Sequence, residues 1–370
     1  MFSLFDDVKK QISTSGATTA KVGSVILFTC KLCMMITTLA CILVTAKTYI
    51  GDNINCITGY EKQEHQAIET YCFITSTFTL VDLENNNKNT AHPGVGPITR
   101  PHPDHQTGDR DSTTTAPEDD LRRHAYYQWV PMVLFLQAAV FYFPIWIWNL
   151  IDKGYFQAAL CGLDKVHIGD YSKEINSSAK FFAKSLTHHR SYAIAFLLCE
   201  ITAFAISVGN LFFTNTFLGG QFFKFGPSAL KYLGRNATDP SNPLNEIFPK
   251  VAKCTWYKYG PSGTIQQHDS LCVLPLNIVN EKTYIFLWIM YIVAAIVCGV
   301  FLLIRILLFL LPRVRNSLLV HRARRPETKR DLMTVLLKCN YGDWFLMYNF
   351  RTSMVYFREW VHLVKEEILK

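Results

Sequence analysis

Residues 284–311 read YIFLWIMYIVAAIVCGVFLLIRILLFLL, an apolar run long enough to cross about 30 Å of hydrocarbon as one helix. Three more runs of this kind lie upstream: Val25 to Ala46, Val130 to Ile151 and Tyr192 to Phe213. The whole chain has 370 residues, 49% of them hydrophobic and only 18% charged, less charged than the about 25% of a soluble domain, and its apolar residues are clustered in these runs. The runs at 25–46 and 192–213 are the more polar pair. The first holds Lys31 and four threonines, and the other holds Glu200 and Asn210. Polar groups inside a span point to a lined cavity or to helix contacts.

Orientation follows from Lys and Arg, which accumulate on the cytoplasmic side of spans. Lys153, Lys165, Lys173, Lys180, Lys184 and Arg190 lie between spans two and three. Arg313, Arg315, Arg322, Arg324, Arg325, Lys329 and Arg330 follow span four, and Lys9, Lys10 and Lys21 precede span one. All three segments are expected inside, with both termini cytoplasmic and the loops after spans one and three outside. The formal charge of +8 is then mostly an inside charge, set by topology or used on anionic headgroups. The first twenty residues carry Asp6, Asp7, Lys9 and Lys10 before any apolar run, so no cleaved signal peptide is expected.

Of 11 cysteines, Cys30, Cys33, Cys41, Cys199 and Cys298 lie in spans, and Cys161 and Cys339 lie inside. The other four, Cys56 and Cys72 in one outer loop and Cys254 and Cys272 in the other, face the side where disulfides persist. Four cysteines allow three connectivities, and spacing does not choose among them.

The expected layout is therefore an N-terminal segment at 1–24, span one at 25–46, an outer loop at 47–126 and span two at 127–151. A cytoplasmic loop at 152–191, span three at 192–213, a second outer loop at 214–283, span four at 284–311 and a cytoplasmic tail at 312–370 complete it. Phe2, Phe5, Val8 and Ile12 fall at helical spacing, an amphipathic segment that either lies on the membrane or folds into a vestibule. In span one, Cys30, Met34, Thr37, Cys41, Thr45 and Thr48 form one small, weakly polar stripe. Such a stripe either packs closely on another helix or faces the water of a pore. Residues 84–120 are polar and turn-rich and are expected to be mobile. His92, His102, Asp104 and His105 within them read as solvated residues, and no metal site is expected.

Tyr126–Trp129 and Trp146 with Trp148 anchor span two at its two ends. Pro131 suits the first helical turn, and Pro144 is expected to kink that helix. The tail has its own apolar stretches, such as Trp344–Met347, so it is expected to fold and to pack with the cytoplasmic loop. Pro261-Ser262-Gly263 reads as a turn between two short strands. Asn236-Ala237-Thr238 is an outer-loop glycosylation sequon.

Several strings are similar to one family. They are Tyr126-Tyr127-Gln128-Trp129-Val130, Tyr49-Ile50-Gly51-Asp52 before Cys56, Thr70-Tyr71-Cys72, Lys253-Cys254-Thr255 through Gly260-Pro261-Ser262-Gly263, and His268-Asp269-Ser270-Leu271-Cys272. Leu276 through Lys282 and Lys338-Cys339-Asn340 through Trp344 add to them. Over nearly its whole length the chain resembles the innexins, invertebrate gap-junction proteins, in their insect or insect-virus form. The insert at 84–120 is longer, and the tail after Trp344 shorter, than that family suggests.

The resemblance implies an all-α membrane protein with four transmembrane helices per subunit, a small disulfide-braced extracellular α/β cap and a helical cytoplasmic domain. It implies a plasma-membrane ring of like or mixed innexin subunits, eight in number, docked on the ring of the neighbouring cell. Ions and small metabolites would pass between cells, or across one membrane through an undocked hemichannel. Cys56 would pair with Cys272 and Cys72 with Cys254. Met1, Phe2, Asp6 and Asp7 would line the narrow mouth, with Thr37, Cys41 and Thr45 further along the pore.

Membrane lipids are expected partners, and neither nucleic acid nor a cofactor is. An enzyme is not expected, because the sequence has no paired intramembrane carboxylates, HExxH string or glycine-rich phosphate loop. A tetraspanin-like scaffold would concentrate its cysteines in the second outer loop. The competing reading is a junctional adhesion or scaffold protein that docks without conducting.

Overall fold

The computed structural model describes residues 22–81, 92, 94–96, 99–101, 113–115, 121–161, 163, 172–232, 244–323, 326–353 and 356–370. Helix α1 (Val25–Ile50) leads to strand β1 (Asn55–Ile57), helix α2 (Lys62–Thr75) and strand β2 (Thr77–Leu80). Short strands β3 (Thr99–Pro101), β4 (Thr113–Thr115) and β5 (Leu121–His124) and a 3-10 turn at Tyr126–Gln128 precede α3 (Val130–Asp152). Then come α4 (Tyr155–Leu160), α5 (Ser172–Lys184), α6 (Arg190–Phe217), α7 (Phe222–Tyr232) and α8 (Leu244–Ile247). Strands β6 (Val251–Tyr259) and β7 (Ile265–Val273) lead to α9 (Pro275–Leu310), and α10 (Pro312–Arg322), α11 (Pro326–Leu336), α12 (Tyr341–Ser353) and α13 (Phe357–Leu369) close the chain.

Helices α1, α3, α6 and α9 are long and apolar enough to cross a membrane. At 1.5 Å per residue, the 36 residues of α9 reach about 54 Å, well beyond a hydrocarbon core of about 30 Å. The excess lies at its N-terminal end. Pro275 opens the helix, where a missing amide hydrogen costs nothing. The next two turns carry buried Asn277, Asn280 and Glu281, whose polarity hides this part of the helix from a hydropathy reading that begins at Tyr284. Pro144 lies inside α3.

The chain divides into two compact units. One comprises Leu32–Val140 and Ser207–Ala295. It holds a five-stranded antiparallel sheet in the order β1-β7-β6-β2-β5. Alternate residues of β6, Ala252, Cys254 and Trp256, are buried on the core face of the strand, and Lys253 between them is buried as well. With Ile54, Ile68 and Leu274 the three alternate residues form a small core around the cysteines. The β6–β7 turn closes through Gly260 N–H to Thr264 O at 2.8 Å, and Gly263 takes φ +79°, a conformation that suits glycine. Below the sheet a buried polar chain joins three helices of this unit. Tyr291 donates to Gln137 Oε1 at 3.1 Å, and Gln137 Nε2 donates to Thr214 Oγ1 at 2.8 Å.

The other unit comprises Met1–Lys31, Phe141–Ile206 and Ile296–Lys370. Here α5 packs on α13, with Phe182 edge-on to Trp360 at 5.0 Å and Trp360 Nε1 donating to Ser178 Oγ at 3.2 Å. Ser178 in turn donates to Ala159 O at 2.8 Å. The tail is thus folded against the 152–191 segment, as its apolar stretches led us to expect. Trp344 and Trp360 are fully buried there. Asp343 ties the two segments with charge-assisted bonds, accepting from His189 Nδ1 at 2.8 Å, from Thr187 N at 3.1 Å and from Asn340 N at 3.0 Å.

Candidate functional site

The cap is built by bringing three strands and one helix onto four cysteines. Antiparallel pairing sets Cys56 opposite Cys272 and Ala252 opposite Cys272 on the far side, so β7 holds the central cysteine between β1 and β6. Helix α2 presents Cys72 from above. Cys56 is bonded to Cys272, and Cys72 to Cys254, over sequence separations of 216 and 182 residues. The sulfurs of Cys56, Cys72 and Cys272 lie within 4.8 Å of one another, so the two bridges are packed side by side in the core. Oxidised in this way they offer no thiolate to a metal. Each bridge joins the loop after α1 to the loop after α6, which makes one rigid body of two segments distant in sequence.

The remaining cap contacts hold that body in shape. Trp256 Nε1 donates to Ser270 Oγ at 2.9 Å, and the indole is gripped between Tyr60 at 5.4 Å and His268 at 4.6 Å. Cys56 N donates to Glu69 Oε1 at 3.2 Å, tying β1 to α2. Lys253 pairs with Asp269 and donates to Gly96 O at 2.6 Å, and Leu80 N donates to Gly94 O at 2.9 Å. Residues 94–96 of the insert at 84–120 are thus bonded to β6 and β2, and Thr99–Pro101 pairs with Thr113–Thr115 as the β3–β4 ladder. His92 is exposed, and the insert's other residues, His102, Asp104 and His105 among them, lie outside the described residues.

His124, at the end of β5, is 3% exposed and shares a 2.8 Å hydrogen bond with Thr79 Oγ1. Burial first, and the nearby Arg122 guanidinium second, lower its pKa from 6.5 to about 4. At the turn end of the β6–β7 hairpin Tyr257, Tyr259 and Ile265 are exposed.

On α1 the buried positions are Ile26, Cys30, Cys33, Thr37 and Val44. This is the face that carries the small, weakly polar stripe, so the stripe packs inside the subunit. Thr37, a candidate pore residue, is fully buried within the single subunit. Cys41 is half-buried and donates to Pro131 O at 3.4 Å, with Thr45 half-buried beside it. Thr38, Ile42, Tyr49 and Lys31 lie on exposed faces of α1. Met1, Phe2, Asp6, Asp7 and the Asn236 sequon lie outside the described residues.

Glu200, the costly carboxylate of span three, has its partner on α9. Arg305 Nε reaches Glu200 Oε2 at 2.9 Å and Arg305 Nη2 reaches Oε1 at 3.1 Å, a bidentate pair. Ser24 Oγ donates to Glu200 Oε1 at 2.8 Å while accepting from Leu27 N at 3.3 Å, so it also caps α1. The partner was missed in the sequence reading, although a lone arginine within an apolar run is the signal that could have found it.

A family model for innexins matches residues 24–367. The chain belongs to the innexin family. Innexin inx2 of Drosophila melanogaster is 38% identical over 311 residues, which is 83% of this chain and 80% of that protein. Innexin inx1 of Schistocerca americana is 36% identical over 335 residues, 90% of this chain and 85% of its own. Innexin shaking-B of Drosophila melanogaster is 33% identical over 315 residues, 83% and 79% respectively. Innexins are gap-junction channel proteins, and the four apolar helices and disulfide-joined cap of this chain are those of a multi-pass innexin channel subunit.

Proposed function

We propose that this innexin assembles as a ring of eight like or mixed subunits around a large aqueous pore, with its cap outside the cell and both termini in the cytoplasm. The cross-braced cap carries this reading. Two disulfides persist only on the oxidising side, and Lys153, Lys180, Lys184, Arg190 and Arg313 fall in the sequence between the second and third apolar runs and just after the fourth, as in cytoplasmic segments. The β6–β7 end of the cap, with exposed Tyr257 and Tyr259, then faces the ring of the neighbouring cell.

Met1, Phe2, Asp6 and Asp7 set the narrow cytoplasmic mouth, and the two carboxylates bias it toward cations. Cys41 and Thr45 contribute at most the edge of the pore wall. Asn236 is a candidate glycan acceptor, and an occupied glycan there favours single-membrane hemichannels. Neutralising the pair, Asp6→Asn with Asp7→Asn, reduces the cation-to-anion permeability ratio measured by reversal potential, and an unchanged ratio removes those residues from the pore. Dye transfer between paired cells separates this function from a junctional adhesion or scaffold role, which joins cells without passing dye.

A further inference from the structure

Arg315 sits in the first turn of α10, about one turn beyond the end of α9. Its peptide group is fixed from both sides: Arg315 N donates to Leu311 O at 3.2 Å, and Trp344 Nε1 donates to Arg315 O at 2.8 Å. The residue is 9% exposed. A guanidinium is charged at every physiological pH, so this is a permanent cation enclosed by protein.

None of the groups around it neutralises that charge. Among the described residues no carboxylate lies within ion-pair distance of Arg315, and its Nε has no acceptor. The two buried carboxylates of this unit are committed elsewhere. Glu200 is held by Arg305 and Ser24, and Asp343 by His189, Thr187 and Asn340. Cys339 is not a hidden anion, because burial above all, with Asp343 adding to it, pushes its thiol up to about 12. The Tyr341 ring lies 5.7 Å from the guanidinium carbon and gives only a neutral π face. Its phenol oxygen is also buried without a partner. Burial pushes the Tyr341 pKa up, so the phenol remains an O–H donor.

An uncompensated buried cation beside an unused donor is a costly arrangement unless an anion completes it. Its place, just past the last apolar residues of a membrane helix, is the level of lipid phosphates. We propose that Arg315 and Tyr341 form a binding site for the phosphate of an anionic phospholipid headgroup, one per subunit. The proposal rests on α9 crossing the bilayer, and not on ring size, docking or conduction.

The test uses the full-length protein in nanodiscs of phosphatidylcholine alone or with phosphatidylserine, followed by lipid extraction and mass spectrometry of what each subunit retains. The wild-type protein retains phosphatidylserine and melts at a higher temperature in the mixed discs. Arg315→Gln lowers that retention about ten-fold or more, the size of one lost charge-assisted contact. Tyr341→Phe, which keeps the ring, lowers it by a smaller factor and serves if Arg315→Gln does not fold. Arg313→Gln, an exposed neighbour, changes it less than two-fold. Equal losses in Arg313→Gln and Arg315→Gln overturn the site. Full protection by inorganic phosphate in phosphatidylcholine discs overturns its assignment to a lipid, and so does a neighbouring subunit's carboxylate seated on Arg315 in an assembled ring.

Discussion

Removing one member of the Glu200–Arg305 pair is the sharpest perturbation of the helical scaffold. Glu200 is 1% exposed, and its two oxygens take up Arg305 Nε, Arg305 Nη2 and Ser24 Oγ, all within 3.1 Å. Glu200→Gln leaves the guanidinium facing a neutral amide in a water-poor setting. Arg305→Met leaves a carboxylate there. Breaking a buried pair from one side costs about 3–5 kcal/mol. For a folding unit of this size that corresponds to a melting shift of roughly 6–20 °C.

The double variant Glu200→Gln/Arg305→Met leaves no orphan charge, so it lies closer to the wild type than the sum of the two singles, with a coupling of about 2 kcal/mol or more. The assay is thermal melting of the protein in nanodiscs, read by intrinsic tryptophan fluorescence, for all four proteins. Singles that each cost less than about 1 kcal/mol, or a double that equals their sum, would refute the reasoning. Because Ser24 is the residue from which the N-terminal segment departs, the single variants should also alter channel gating.

Three further outcomes follow from the same geometry. Replacing Cys72 or Cys254 by Ser removes a bridge from a small cap core and costs about 2–5 kcal/mol; non-reducing peptide mapping of the wild type should recover Cys56 with Cys272 and Cys72 with Cys254. The folded pKa of His124, about 4, lies below the value near 6.5 of an unfolded chain. Its contribution to cap stability is therefore full above about pH 6.5 and is lost as the pH falls through 4, by up to about 3 kcal/mol; a His124→Asn variant should show a flatter pH–melting curve between those limits. Asp343→Asn should destabilise the unit by about 3 kcal/mol or more, since it removes the charge that three donors share, whereas Glu327→Gln, in an exposed pair with Arg358, should change its melting by less than about 0.5 kcal/mol.

Much of this molecule was legible because membrane helices announce themselves by composition. The four runs, the hairpin around Pro261-Ser262-Gly263 and the folded tail all rest on local patterns that tertiary contacts had no reason to override. What stayed hidden was whatever depends on a partner distant in sequence. The first turns of α9 looked like loop because Asn277, Asn280 and Glu281 are polar, yet they are buried in the cap unit. The stripe containing Thr37 had two readings because smallness serves close packing and a pore wall equally, and only the position of the neighbouring helices separates them. Arg305 was unremarkable until α6 brought Glu200 within 3 Å of it. In the insert, the bond from Lys253 to Gly96 joins residues 157 apart in sequence, which no local reading of a polar, turn-rich segment could anticipate.

The most direct measurement is dual whole-cell recording from paired cells that both express the full chain. A voltage step in one cell should drive current into its partner, and that current should vanish when Cys56 is replaced by Ser. Cell pairs that carry the protein at their contact and pass no junctional current would contradict the account.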